Sequence, residues 1–456
     1  MKTNLTIFAL FLAITAFSQE HFAGLANSSR IGIITADINP AELNNLGNKF
    51  EVNAFGASVN IANNKISFKD LTKSSDELNK QLFSGTEPVN LRVNAAILGP
   101  SFAYKMDKWA FAITSKANIK FDLIDVDTKL ADGLSNGSLG SLVGSSSLSS
   151  SYNQRLNGIS YGEIGLSLSR TILNSDKQKF NVGATLKLLF PGSYTNLGLD
   201  KFSGTISNSG GQVYLNNTVA NLNLTYSGNL SNGFSNFSDY SKSVFGGLNG
   251  YAIDLGVNYQ IKDEVDSKNK NKYKFNFGAA VRNIGSMTFK DDSNYNKNYA
   301  LKIQSTTANP LGLNLNQFEN VNNVNDIEAI LVSKGYLTIQ NSSKDFKVKL
   351  PTLFSAYADV KIISKVFVSG YIQQKLTSDG NNDQISNPNV FTLTPRYNTG
   401  FFEAFLPVSN SSVSGVSTGF GFRLAGFYLG SGSALSALIN NSKQADFYVG
   451  YRASFL

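Results

Sequence analysis

From Trp109 to Asp122 the chain alternates in character residue by residue. One face carries Trp109, Phe111, Ile113, Ala117, Ile119 and Phe121, and the other carries Ala112, Thr114, Lys116, Asn118, Lys120 and Asp122. Period-two alternation marks a strand lying between two different environments. This run exceeds the five or six residues usual in soluble proteins. The pattern recurs in residues 180–190, with Val182, Ala184, Leu186 and Leu188 against Asn181, Thr185 and Lys187. It returns in Tyr251, Ile253, Leu255, Val257 and Tyr259 against Asp254, Asn258 and Gln260, and in Tyr273, Phe275, Phe277 and Val281 against Lys274, Asn276 and Arg282. A tilted strand needs about 9 to 11 residues to cross a bilayer. The competing reading, a soluble exported β protein, has no need of strands this long.

Connection lengths point the same way, because membrane barrels join strands by short turns on one side and longer loops on the other. Short connections fall at residues 107–108, 174–177, 364–365, 398–399 and 424–426, and a slightly longer charged one at 262–272. The long ones fall at 62–90, 123–157, 191–248, 286–350, 376–389, 409–414 and 431–444. Counting the crossings predicts an all-β, 14-stranded antiparallel transmembrane barrel with large extracellular loops, an even number as single-chain bacterial barrels have. Within the long connections, residues 213–226 read as an extra-membrane hairpin strand and Val324–Ser333 as a short helix capped by Asn325. Residues 133–151, rich in Gly and Ser, read as a mobile loop.

Residues 1–18 read as a secretory signal peptide: Lys2, an apolar stretch at 5–13, then Ala16-Phe17-Ser18 with cleavage before Gln19. The expected location is the cell outer membrane. Residues 19–48 lack strand-length alternation and are expected to fold back into the lumen as a hatch, leaving 49–456 for the barrel. The last strand alternates Phe447, Val449, Tyr451, Ala453 and Phe455 outward. Its Gly450, Tyr451 and Phe455 resemble the terminal signal read by the barrel assembly machinery, although Leu456 follows the aromatic.

Asp254 and Arg282 fall on the polar face of neighbouring strands and are expected to form a lumenal ion pair, with Lys116, Lys187, Glu163 and Arg170 in the same network. Trp109, Tyr251, Tyr259, Tyr273, Tyr371, Tyr448 and Phe455 are candidates for the interfacial aromatic girdles.

Catalytic chemistry finds little support. There is no Cys and one His, which removes thiolate metal sites and cysteine nucleophiles. Gly415-Val416-Ser417-Thr418-Gly419 matches a nucleophile-elbow pattern, but it lies at the start of a predicted strand and lacks a base. His21 reads as a solvated residue near the mature terminus. Asp122, Asp125 and Asp127 read as a solvated loop rather than a calcium site. The expectation is no enzyme, no metal and no cofactor. The formal net charge of +8 is scattered along the chain, which speaks against nucleic acid and suits contact with outer-membrane lipid and lipopolysaccharide phosphates.

Asn39-Pro40-Ala41 resembles the Asn-Pro-Ala-Gly element in the hatch of the long-chain fatty acid transporter superfamily, with Glu42 where the transporters have Gly. Residues 250–256 followed by 281–285 resemble the paired-strand signature of that superfamily and of its relative, the type IX secretion barrel. Residues 419–423, 427–432 and 445–448 are closer still to an uncharacterised Bacteroidota family of outer-membrane barrels, a domain of unknown function. The resemblance implies a 14-stranded barrel whose hatch includes Asn39, Pro40, Ala41 and Leu43. The functional expectation is a monomeric, porin-like transport barrel that binds or passes a small hydrophobic ligand through a hatch-gated lumen. Its rival is a scaffold whose external regions bind a protein partner from a secretion or surface-attachment complex.

Overall fold

The residues that alternate in sequence alternate in exposure. In the computed structural model, Phe111 and Ile113 are exposed on the outer wall, whereas Ala112, Asn118, Lys120 and Asp122 are buried on the inner one. The structure describes residues 21–25, 28, 32–128, 145–227, 246–263, 273–307, 309–318, 324–439 and 442–455. The signal peptide at 1–18 and most of the charged turn at 262–272 lie outside them.

The wall is an antiparallel ring of 14 strands. These are β1 (Phe50–Asn63), β2 (Val89–Leu98 continued by Ser101–Met106), β3 (Trp109–Val126), β4 (Gln154–Asn174), β5 (Gln178–Ser209), β6 (Gly250–Lys262) and β7 (Tyr273–Phe289). They continue as β8 (Phe346–Lys349 with Leu353–Ile363), β9 (Val366–Lys375), β10 (Val390–Asn398), β11 (Phe402–Phe405 with Val408–Ser411), β12 (Gly415–Thr418 with Phe420–Leu424), β13 (Phe427–Ser431) and β14 (Gln444–Phe455). Pairing of β14 with β1, from Phe50↔Phe455 to Ala62↔Gln444, closes the ring. Closure leaves no edge strand in the wall, and Val59, Ile97, Leu168, Leu255 and Phe277 give it an apolar outer belt. Among the described residues no helix is long and apolar enough to cross a membrane.

β5 departs from expectation: it does not stop at Phe190 but runs on to Ser209. At 32 residues it is roughly three times the length a bilayer requires. Pro191 does not end it, because β6 stops pairing with β5 at Leu189 and the next neighbour starts at Thr195. Along that edge the missing proline N–H falls in a gap. Beyond the gap, β5 continues into a ribbon with Gln212–Tyr226, Tyr295–Ile303 and Leu337–Ser343. The helix Val324–Ser333 packs Leu331 and Ile327 on the ribbon's apolar face. Asn325 is the second residue of that helix rather than the residue before it. Of the Gly/Ser-rich stretch, Ser145–Ser149 pairs as a strand with 203–207, and 129–144 lie outside the described residues.

Three tyrosines expected at the membrane interface face inward. Tyr273, Tyr371 and Tyr448 are buried, while Tyr251 and Phe455 are exposed on the outer wall. For Tyr273 the cause is a bulge between it and Phe275, which turns Tyr273 to the inner side.

Candidate functional site

The first half of the site is the N-terminal segment, seated inside the ring. Asn39 caps a short 3-10 helix, Pro40–Asn45, through its Oδ1, which accepts from Ala41 N at 3.0 Å. Its Nδ2 donates to Val257 O at 2.8 Å, tying the cap to the wall. The Pro40–Ala41 peptide lies on Gly183 and the Asn39 amide on Gly256, two glycines directly paired across β5 and β6, where a Cβ would collide with the segment. Glu42 is buried and accepts from Asn45 (2.6 Å), Asn258 (2.8 Å), Asn276 (2.9 Å) and Tyr357. Leu43 turns to an apolar side with Leu98, Ala103, Ala110, Ala112 and Phe405. His21 also lies inside the ring, half-buried with Nδ1 2.9 Å from Ser58 Oγ, and is not a solvated terminal residue.

Above this segment a belt of alternating charge crosses five adjacent strands: Lys116, Glu163, Lys187, Asp254 and Arg282. Lys187 Nζ lies 2.9 Å from Asp254 and 3.4 Å from Glu163, and Lys116 Nζ lies 3.5 Å from Asp37 of the N-terminal segment. Asp254 and Arg282 are not paired with each other. Asp254 Oδ1 instead accepts from Asn283 N at 2.6 Å, and Arg282 donates to Asp37 O (2.8 Å), Gln373 Oε1 (2.7 Å) and Tyr371 Oη (3.1 Å). Arg170 stands apart from the network. The odd-numbered residues around it in β4 face the lumen, so Arg170 faces outward, with its guanidinium 4.8 Å above the Trp109 ring.

The second half of the site was not foreseen from sequence: the connection 376–389 folds into the barrel from the opposite end. Arg92 donates to Ser386 Oγ at 3.0 Å, Lys120 to Asn387 Oδ1 at 2.5 Å, and Asn153 to Asn382 Oδ1 at 3.0 Å. Ile385 sits in a collar of Ile159, Leu189, Met287, Phe289 and Val348. Between the two plugs lies a polar chamber of about 110 Å³. Around Asn39 and Glu42 the neighbours are the Asn258 and Asn276 amides and the Tyr357 hydroxyl.

An apolar cavity lies on the outside of the wall. A groove of about 720 Å³ runs beneath the connection between β1 and β2. Its floor is a row of leucines abreast on four strands, paired as Leu91↔Leu123↔Leu156↔Leu197. Their neighbours Arg92, Asp122, Arg155 and Asn196 are buried toward the lumen, so the leucines face out. Ile66, Phe68, Leu71, Leu82 and Phe83 form the roof. Asp70 holds the roof together, accepting from Ser67 N (2.8 Å), Ser67 Oγ (2.7 Å) and Gln81 Nε2 (2.7 Å), with Lys73 Nζ at 2.7 Å. Hydrogen bonds from Lys73 and Ser67 keep its carboxyl well below the usual carboxylate range.

The remaining sequence candidates lie in the wall. Gly450, Tyr451 and Phe455 are in the closing strand, with Tyr451 and Phe455 exposed and Gly450 beneath the ring of Tyr428. Ser417 lies on β12, buried, not on a strand-to-helix turn. Asp122 is buried on the lumenal face rather than in a solvated loop, and among the described residues no three acidic or His side chains cluster as a metal site.

Residues 40–432 match the model of a family described as a family of unknown function (DUF5723). No curated protein matches the sequence. Similar solved structures include the TodX deltaS2S3 mutant monoaromatic hydrocarbon channel, 10% identical with a TM-score of 0.47, covering 96% of this chain and 100% of that one. The toluene transporter TodX of P. putida is 10% identical with a TM-score of 0.43, covering 93% and 94%. The CymD monoaromatic hydrocarbon channel is 12% identical with a TM-score of 0.42, covering 96% and 94%.

Proposed function

The chain belongs to the family of unknown function DUF5723, and we propose that it is an outer-membrane barrel that captures a small hydrophobic molecule in the outer-wall groove and passes it inward when the N-terminal segment moves as a hatch. The observation that carries this reading is the groove itself. Its volume of about 720 Å³ falls within the roughly 300–1,000 Å³ range of small-molecule pockets, and its floor and roof are nearly all aliphatic or aromatic. Ile61 and Leu197, exposed on the outer wall, line the groove, so its apolar surface is reached from the outside of the barrel. Export by residues 1–18 and insertion by the barrel assembly machinery belong to the same proposal, as does the non-enzymatic role.

The test is retention of an apolar fluorescent naphthylamine by the detergent-purified mature protein. Leu123→Glu and Leu156→Glu, on outward-facing positions in the groove floor, are expected to weaken retention about tenfold or more, since each buries an unpaired carboxylate. Unchanged retention in both folded variants would overturn the reading.

A second reading rests on the ribbon. Leu337–Ser343 pairs with Tyr295–Ile303 and, among the described residues, has no strand on its other side. An open edge is a template for strand addition by a protein partner, which supports the scaffold role. A photo-crosslinker at Ile339, exposed on that strand, that captures no protein on cells would set this reading aside.

A further inference from the structure

We propose that this protein cross-links itself: the side chain of Lys179 in β5 forms an isopeptide bond with the side chain of Asn45, welding the N-terminal segment to the wall. Both residues are buried. Lys179 Nζ donates to Asn45 Oδ1 at 2.9 Å and to Asn44 O at 2.7 Å. Its charged neighbours are Lys105, Lys262 and Glu42. Its acceptors are neutral, an amide and a carbonyl, with no carboxylate in ion-pair range among the described residues. A lysine held this way, unlike an arginine, can release a proton and act as a nucleophile. A C=O bond is about 1.2 Å long, so Nζ stands within about 4 Å of the Asn45 Cγ carbon, and a shift of about an ångström brings it to attack distance.

The Asn45 amide is oriented from both sides for the exchange. Its Oδ1 meets donors, Lys179 and Asn181, whose Nδ2 lies at 3.0 Å. Its Nδ2 meets acceptors, Glu42 Oε2 at 2.6 Å and Asn258 Oδ1 at 2.8 Å. Attack by the Lys179 amine on Cγ moves the carbonyl electron pair onto Oδ1, where the Asn181 amide donates to the developing negative charge. Glu42 is placed to carry the proton. Its Oε1 accepts from Asn258, Asn276 and Tyr357, whereas among the described residues its Oε2 accepts from Asn45 alone. Oε2 takes a proton from the attacking nitrogen and returns it to the departing nitrogen on the same carbon. The Cγ–Nδ2 bond then breaks and ammonia leaves. One amine and one carboxamide give one secondary amide and one ammonia, and no other reactant is consumed. The remaining Nζ–H takes over the hydrogen bond to Glu42. The link does not depend on the outer groove. It fixes the segment at residue 45, so the hatch motion proposed above is left to the residues before it.

Mass spectrometry of tryptic peptides from the mature barrel, folded in detergent, tests this. The expected product is a branched peptide joining 31–49 to 178–187, lighter than their sum by one ammonia, with fragmentation placing the bond between Asn45 and Lys179. The branch is the readout rather than the intact mass, because an amino-terminal glutamine also loses ammonia on cyclising. Lys179→Arg should abolish the branch, and the chain kept unfolded in urea should lack it. Glu42→Gln keeps the side-chain shape but removes the proton carrier, so it should lower the yield of the branch at least about tenfold. Recovery from the folded protein of 31–49 with the Asn45 carboxamide intact, together with 180–187 cleaved after Lys179, would overturn the proposal, and so would a branch at full yield in Glu42→Gln. The peptide map of the unaltered protein decides the matter even if a variant fails to assemble.

Discussion

Single side chains in this lumen act through what they would leave unpaired. Arg396 is fully buried between Asp359 and Glu403, and Glu403 also accepts from Ser28 Oγ of the N-terminal segment at 2.7 and 2.9 Å. Arg423 adds a further contact to Glu403 at 3.3 Å. Removing Arg396 leaves the fully buried Asp359 without a cation and Glu403 with Arg423 alone, so Arg396→Met is expected to destabilise the barrel by about 3–5 kcal/mol. Urea titration in lipid vesicles measures this, and a loss below about 1 kcal/mol would show the cluster to be hydrated. The inward tyrosines follow a different rule. Tyr357 lies over Gly278, Tyr428 over Gly450 and Tyr448 over Gly430, each on the directly paired residue of the next strand. A ring fills the space a missing side chain leaves, and the pair pins the register. Each tyrosine was individually visible in the sequence. Its glycine became meaningful only when strand pairing set the two opposite each other.

Among the elements, the connection over the groove shows how a loop becomes a roof. Asn63 Oδ1 accepts from Lys65 N (2.8 Å) and Ile66 N (2.6 Å), turning the chain as β1 ends. Asp70 then joins the 3-10 helix Phe68–Thr72 to the helix Ser75–Leu82 through Gln81. The folded carboxyl of Asp70 titrates below its unfolded value. Its contribution is therefore complete above about pH 4 and is lost as pH falls through the lower folded value. Naphthylamine retention should stay level from neutrality down to about pH 4 and decline only below it. Asp70→Asn should lower retention about fivefold at neutral pH, near 1 kcal/mol, and abolish the acid step. A variant that retains the acid step would exclude Asp70 as its source.

For the whole molecule, two segments enter the lumen, the N-terminal one and residues 376–389. The two use different chemistry: one rests on Glu42 and amides, the other on Arg92, Lys120 and an apolar collar around Ile385. Deleting residues 19–46 alone is therefore expected to leave single-channel conductance near the closed level. Shortening 376–389 as well should open a pore of porin-like conductance. If the first deletion opens the barrel fully, the second segment has no role in closure. The ribbon extends this architecture beyond the wall, because β5 keeps its pairing after β6 has turned away.

Local pattern was enough for the barrel. Alternation along each strand depends on neighbours in sequence, so Trp109 to Asp122 disclosed its two faces, and the short turns at 107–108 and 364–365 fixed the order of crossings. The Asn39-Pro40-Ala41 element stood out by its resemblance to a known hatch element, whereas the cap that Asn39 makes on Pro40–Asn45 came from the structure. What lies between strands was not. The row Leu91, Leu123, Leu156 and Leu197 depends on three registers, the seat for Pro40 on two glycines from different strands, and the fate of Arg282 on a bulge that moves it from Asp254 to Asp37. The entry of 376–389 into the lumen depends on Arg92 of β2, Lys120 of β3 and Arg155 of β4, which donates to the carbonyls of Asp379 and Asn381. Pairing across a closed ring brings together residues hundreds of positions apart, and only the tertiary structure decides which of them meet.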